Sequence, residues 1–189
     1  KHPHELRDYL LCYQLEYEIA THLTLHNLKK DDANFNNTLL ALDRFYLAAR
    51  LKNTALLRLQ NRLVPVEMYP ARHFLAPMLE ELRPYQQVMT PLVLVYEQLL
   101  AMVADDESFR VEDLNRLLEF LDAQASLLDT ETLANAEAFA SSWCTMQYNR
   151  SRYEFLPVLY ELVLRRLRSG RIYKNGLLGV HFFQLAVVV

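Results

Sequence analysis

Residues 38–64 read TLLALDRFYLAARLKNTALLRLQNRLV and contain neither proline nor glycine. The apolar side chains of this stretch recur every three or four residues, the spacing of one face of an α-helix. They form two adjacent stripes, one of Leu39, Leu42, Tyr46, Ala49 and Leu56, the other of Phe45, Ala48, Leu51, Ala55 and Leu59. The pattern predicts a long helix, capped by Asn37 and ended by Pro65, that packs against more than one neighbour.

The same spacing extends in both directions and predicts about eight helices, so we expect an all-α fold in one domain, residues 1–189. A polar linker at residues 27–37 precedes the long helix. Thr90-Pro91 and Asp129-Thr130 are typical of helix starts, and Ser151 with Glu154 has the spacing of a capping box. The predicted helices begin near residues 4, 38, 71, 91, 109, 130, 151 and 177.

Three of these helices begin near residues 70, 109 and 152, at intervals of about 40 residues. The interval favours a stack of antiparallel helical hairpins. A closed helical bundle would give much the same apolar pattern, and it stays open as the alternative.

Composition excludes several classes of protein. A chain of 189 residues that is 52% hydrophobic can fill one sizeable core. Its 3 glycines are too few for most barrels, sandwiches and phosphate-binding loops. A formal charge of −3 gives no footprint for nucleic acid or an anionic membrane, so we expect neither as a partner.

The two ends suggest a piece of a longer protein. The chain begins without Met, has no intact signal peptide, and its longest apolar block, residues 91–96, is too short to cross a bilayer. Residues 180–189 are almost wholly apolar, so we expect a cut near this end, or self-association through it. Two cysteines far apart in sequence predict no disulfide and a cytoplasmic protein.

No catalytic motif stands out, and we expect a protein without enzymatic activity, cofactor or bound metal. His22 and His26 have the spacing of two zinc ligands on a helix, but no Glu adjoins His22 and no third ligand is evident nearby. Cys144 lies on an apolar stripe, where a thiol acts as a small apolar side chain, and we expect the same core placement for Cys12.

Charge is unevenly distributed in the second half of the chain. Residues 101–149 contain 2 basic and 10 acidic side chains, whereas residues 150–174 contain 7 basic and 2 acidic ones. Pairing of the basic seventh helix with the acidic fifth and sixth is one interpretation. The other is a partner-binding surface, whose candidate residues are Arg165, Arg166, Arg168, Arg171, Tyr173 and Lys174.

Three short runs resemble a known group of proteins. LDRFYLAARLK at residues 42–52, LQNR at 59–62 and RIYKNG at 171–176 are similar to uncharacterised bacterial proteins built from tetratricopeptide-like helical hairpins. The resemblance implies a right-handed superhelix whose concave groove holds a peptide or helix of another protein. We therefore predict a helical-repeat scaffold. The alternative is a helical bundle that binds a small apolar ligand, which the eleven tyrosines would allow.

Overall fold

The computed structural model describes residues 4–25, 33–63, 72–104, 108–170, 173–174 and 177–178. Apart from connecting turns and a hairpin of two two-residue strands, this part of the chain is helical, which confirms the predicted all-α class. A 3₁₀ turn, Tyr153–Phe155, precedes the last helix. The helices are α1 (Leu6–Leu25), α2 (Ala33–Leu63), α3 (Arg72–Leu82), α4 (Pro91–Ala104), α5 (Val111–Ala123), α6 (Thr130–Asn149) and α7 (Leu156–Arg168).

Three of the helices form the middle of the fold. α2 packs against α4, α4 packs against α6, and α2 also contacts α6. α1 lies on α2, and α7 lies on α6. The core therefore lies between α2, α4 and α6, with α1 and α7 as outer helices. A superhelix of repeated hairpins stays a prediction.

The centre of the core is an aromatic cluster on α6. The Trp143 ring contacts Phe109 and Phe155 edge to face, with ring centres 5.2 and 4.9 Å apart. The Arg152 guanidinium lies 4.6 Å from the centre of the Phe155 ring, and it donates hydrogen bonds to the side chain of Gln147 and the carbonyl of Phe109. This cluster fixes α6 against the residues that precede α5 and α7.

Two predicted helix starts are confirmed by their hydrogen bonds. The hydroxyl of Thr90 accepts from the backbone N–H of Val93 at 3.5 Å, and α4 begins at Pro91. The Asp129 carboxylate accepts from the backbone N–H of Thr132 at 2.8 Å, and α6 begins at the next residue after Asp129. The apolar run at residues 92–95 is therefore helical and not a strand.

The predicted capping box at Ser151 is wrong, because Ser151 ends α6 instead of beginning α7. Its φ is 65°, and the N–H groups of Ser151 and Arg152 donate to the carbonyls of Tyr148 and Gln147. These two bonds are the Schellman motif that closes a helix at its carboxyl end. Glu154 pairs with Arg152, and α7 begins at Leu156 with a proline in its first turn.

The predicted cap at Asn37 is also wrong, since α2 begins at Ala33. The hydroxyl of Thr38 donates to the carbonyl of Glu16 in α1 at 3.1 Å, which ties this part of α2 to its neighbour. Packing of that kind overrides the weak helix propensity of asparagine. The predicted linker is shortened accordingly, and its residues 27–32 lie outside the described part of the chain.

The last described residues, 173–174 and 177–178, differ from the prediction. Tyr173–Lys174 and Leu177–Leu178 pair as antiparallel strands, β1 and β2. Residues 175 and 176 of the turn expected at 174–176 lie outside the described part of the chain, and an eighth helix does not start at residue 177, which is in β2. Residues 179–189 lie outside the description. None of the described helices is long and apolar enough to cross a membrane.

Candidate protein interface

The inner side of α2 belongs to the core. Ala48 and Leu51 are 0% exposed, and Ala55 and Leu59 are nearly as buried. These residues form the second of the two stripes read from the sequence. Contact with α4 and α6 accounts for this side of the helix.

The outer side of α2 carries a second apolar row that nothing in the described chain covers completely. Leu39 is 58% exposed, Phe35 51%, and Tyr46 and Leu56 are each 40% exposed. We call the row the α2 seam, and it consists of Phe35, Leu39, Leu42, Tyr46, Ala49, Asn53 and Leu56.

Spacing along the α2 seam alternates between four and three residues from Phe35 to Leu56 without a break. This is the heptad spacing of helices that pack side by side through interlocking side chains. Only Asn53 is an amide or charged residue, and its side chain donates to the carbonyl of Ala49 in the same helix at 2.9 Å. The row therefore has the geometry of a helix-docking surface.

Opposite charges flank the α2 seam on one side. Asp43 and Arg50 are seven residues apart, so they occupy equivalent positions beside the seam. Burial, and next the nearby carboxylate of Glu81, raise the pKa of Asp43 above its ordinary value. The Nε of Arg50 is buried without a hydrogen-bond partner among the residues the structure describes.

A groove of about 710 Å³ adjoins this flank, between the start of α2 and the connection from α3 to α4. Leu39, Leu40 and Leu82 give it an apolar wall, and Asp43 and Glu81 give it two carboxylates. The connection is held in place by the Nε of Arg44, which donates to the carbonyl of Gln87 at 2.7 Å. The groove extends the apolar surface of the seam and makes its border acidic.

α1 also has exposed apolar residues, on the side away from α2. Leu11 is 50% exposed, Leu15 61% and Leu25 75%. The same four-and-three spacing places Glu18 and His22 between them. We call this row the α1 outer face, and it is interrupted at two charged or titratable positions, whereas the α2 seam is interrupted at Asn53 alone.

Arg165, the first of the predicted partner-binding residues, is engaged inside the domain. Its Nε donates to the carboxylate of Glu137 at 2.7 Å, and its two terminal nitrogens bind the carboxylate of Asp122. Burial alone would lower the pKa of Arg165, but the bonds to the two carboxylates outweigh burial and raise it. This pairing of α7 with α5 and α6 confirms the intramolecular interpretation for Arg165.

The other five predicted partner-binding residues do not form one surface among the residues that the structure describes. Arg166 is 9% exposed, whereas Arg168 is exposed and Tyr173 is 49% exposed. Arg171 and the side chain of Lys174 lie outside the described residues. Of the six, only Arg168 and Tyr173 are described as available to a partner.

The cysteines differ from each other. Cys144 is 0% exposed on α6, and burial raises the pKa of its thiol to about 12, as expected for a core residue. The expected core placement of Cys12 is wrong, because Cys12 is exposed on α1. His26 lies outside the description, and among the described residues no three potential ligands form a metal site.

Cavities bear on the alternative of a small apolar ligand. Besides the groove beside α2, three pockets measure about 660, 270 and 250 Å³. The most apolar of these, 270 Å³, lies between α2, α4 and α6 and contains Tyr96 and Phe139. It falls just below the roughly 300 Å³ at which small-molecule sites usually begin. Each of the four cavities has at most one tyrosine in its wall.

Sequence reasoning found the two stripes of α2 but assigned a neighbour to each. The available signal was the continuity of the outer stripe, which extends back to Phe35 and keeps its spacing up to Leu56. Heptad spacing over that length is more regular than packing in a globular core requires.

Comparison with known proteins adds no relative. No protein-family model matches the chain, no curated protein matches it, and no solved structure matches it. The resemblance to tetratricopeptide-like bacterial proteins therefore stays a prediction. Support for the candidate interface comes from the spacing and the exposure of its own residues.

Proposed function

We propose that this chain is a non-enzymatic helical protein that binds another protein through the α2 seam. One observation carries the proposal. On the same helix, one apolar side is fully buried, and the other, equally apolar, leaves Leu39 58% exposed.

Exposure of a continuous apolar row is unfavourable in water, and such surfaces on folded proteins usually mark interaction sites. The row has the alternating spacing that lets a second helix insert its side chains between those of α2. Exposed leucines scattered singly would need no such explanation. The α2 seam is a line of seven positions, which favours a helix as its occupant.

The wider architecture is compatible with a scaffold. Contacts from α2 to α4 and from α4 to α6 are those expected of stacked hairpins, in which every second helix shares a layer. On this basis we retain the tetratricopeptide-like arrangement as part of the proposal. We also retain the cytoplasm as the expected compartment, because both cysteines are free.

Photo-crosslinking in cells that express the chain tests the proposal. Benzoylphenylalanine replaces Tyr46 in the α2 seam in one variant, and Tyr160 on α7 in a matched control. The two tyrosines are 40% and 50% exposed, so solvent access does not distinguish them. We expect a discrete polypeptide adduct from position 46 and no comparable adduct from position 160.

A second substitution shows whether the adduct depends on the seam. Leu39→Glu places a charge about two helical turns before the probe, and it should abolish the adduct at position 46 while leaving helicity unchanged. Equal adducts at both positions, or an adduct that survives Leu39→Glu, would contradict protein binding through the α2 seam.

A further inference from the structure

We propose that the occupant of the α2 seam is α2 of a second copy of this chain, docked antiparallel. This inference rests on the proposed function, because it names the partner of the same surface. It is argued from the order of side-chain sizes along the seam and from the charges beside it.

The sizes match when the two helices run in opposite directions. An alignment that places Tyr46 opposite Ala49 of the second copy puts the largest side chain against the smallest. The same alignment places Leu39 opposite Leu56, and Leu42 opposite Asn53. A two-fold axis then repeats each pair, so six layers form from one self-complementary surface.

The charges match in the same alignment. Asp43 of one copy then lies within about 3 Å, measured along the helix axis, of Arg50 of the second copy. Both residues occupy the same flank of the seam, and the two-fold axis gives two such ion pairs. Glu81, which faces Asp43 across the groove, adds a second carboxylate to each arginine site.

A parallel alignment lacks this complementarity. The flanking positions that meet in a parallel pair would place Thr38 against Asp43, and Phe45 against Arg50. Neither contact joins opposite charges. The charge pattern therefore favours an antiparallel second copy over a parallel one.

The described part of the chain leaves room for this partner. α1 is tied to the flank of α2 that contains Thr38, through the hydrogen bond to Glu16. The seam itself is left exposed, and the Asp43 flank borders the open groove. Two copies would then bring together four helices, α1 and α2 from each.

Sedimentation equilibrium of the whole chain tests the inference. We expect the mass to rise from 22.2 kDa towards twice that value, with a Kd of about 10 µM or tighter. Leu39→Glu should raise the Kd at least about 100-fold, because each charge would be buried against a leucine. Leu15→Glu is the matched control, since Leu15 is 61% exposed on the α1 outer face and should leave the Kd unchanged.

Charge exchange tests the direction of the helices. Asp43→Arg and Arg50→Asp should each raise the Kd about tenfold, and the double variant should bring it back to within about threefold of the starting value. Circular dichroism of each variant confirms that the helices are retained. If a single reversal unfolds the chain, Tyr46→Ala and Ala49→Tyr take its place, because their combination restores the same layer.

Each other outcome overturns the inference. A chain that stays monomeric up to about 1 mM has no self-docking surface. A dimer that survives Leu39→Glu associates elsewhere, for example through the apolar segment at residues 180–189. Weakening by both reversals without recovery in the double variant excludes the antiparallel alignment. Of these outcomes, a monomer with a seam-dependent adduct of another polypeptide leaves the proposed function standing, and a monomer with no adduct removes both.

Discussion

α6 and α2 are both long helices with many apolar residues, but they are covered to different extents. Eleven of the twenty residues of α6 are buried, because α4, α7 and the 3₁₀ turn all contact it. Even its polar Glu137 and Gln147 lie inside, paired with Arg165 and Arg152. α2, with 31 residues, is buried along one side and leaves an apolar row on the other.

This difference in burial between α6 and α2 helps to interpret an apolar row that lies on the surface of a helix. In α6 the buried carboxylate of Glu137 has its cation inside the domain, although the Nε1 of Trp143 and the Nε2 of Gln147 are buried without a hydrogen-bond partner among the described residues. In α2 the inner row packs against α4, and no described part of the chain covers the outer row completely. A regular apolar row that the described chain leaves exposed is better explained by a partner than by the core of its own domain.

The largest expected effect is the difference in reaction rate between the two cysteines, because Cys144 is buried on α6 and Cys12 is exposed on α1. At pH 8 we expect Cys144 to react with iodoacetamide at least about 1000-fold more slowly than Cys12, because its raised pKa leaves little thiolate and burial blocks access. Mass spectrometry of the separate peptides gives both rates. Similar rates would mean that α6 opens readily and that the contrast with the outer helices is false.

Removal of the cation beside the buried carboxylate should destabilise the fold strongly. Arg165→Leu leaves Glu137, which is 0% exposed, without its guanidinium, and should lower the free energy of unfolding by about 3–5 kcal/mol. Urea denaturation measures the change. Arg168→Leu, at an exposed position of the same helix, should change it by less than about 0.5 kcal/mol.

A double variant identifies the cause of that loss. Replacing both Glu137 and Arg165 by leucine should recover much of the stability, since no uncompensated charge is then buried. If Arg165→Leu costs no more than Arg168→Leu, the pair contributes little and α6 is less closed than the structure indicates.

Two leucines of α2 sharpen the contrast between its sides. Leu47 is 0% exposed, and Leu47→Ala should lower the free energy of unfolding by about 2–5 kcal/mol. Leu39 is 58% exposed, and Leu39→Ala should cost less than about 0.5 kcal/mol in dilute solution. Urea denaturation at low and high protein concentration measures both, and the cost of Leu39→Ala should grow with concentration as association adds stability.

Equal costs for the two leucines at low concentration would show that the outer row of α2 is covered within the single chain. The α2 seam would then be part of the core.

The smallest expected effect concerns the helix starts. Asp129→Ala removes the carboxylate that accepts the N–H of Thr132, and should cost about 1 kcal/mol in the free energy of unfolding. Asn37→Ala should cost nothing or stabilise slightly, because Asn37 lies inside α2, where alanine is the better helix former. Thermal denaturation compares them, and a larger loss for Asn37→Ala would restore Asn37 as the cap.

Local features of the fold could be predicted from the sequence. Apolar spacing gave the helices, and the starts at Pro91 and Thr130 follow from residues within one turn of each other. Ser151 could not be assigned, because the end of α6 and the start of α7 compete for the same residue. At Asn37 contact with α1 decided the outcome, and local propensity does not report such a contact.

The candidate interface was only half predictable. Periodicity identifies an apolar row on α2, but it cannot tell whether that row is covered by the chain itself or by a partner. The ion pair of Arg165 with Asp122 joins residues 43 positions apart, so sequence offered only a charge imbalance between regions. The structure was needed to show that Arg165 forms ion pairs inside the domain and that Leu39 and Leu56 of the α2 seam are exposed.

Hydroxyl-radical footprinting of the unmodified chain tests most directly whether the α2 seam is an interface. Tyr46 in the seam and Tyr160 on α7 are 40% and 50% exposed, so their oxidation rates should be similar in dilute solution. As protein concentration rises, we predict that Tyr46 becomes protected while Tyr160 does not change. Oxidation of Tyr46 that stays as fast as that of Tyr160 at every concentration would contradict docking of a second copy on the seam.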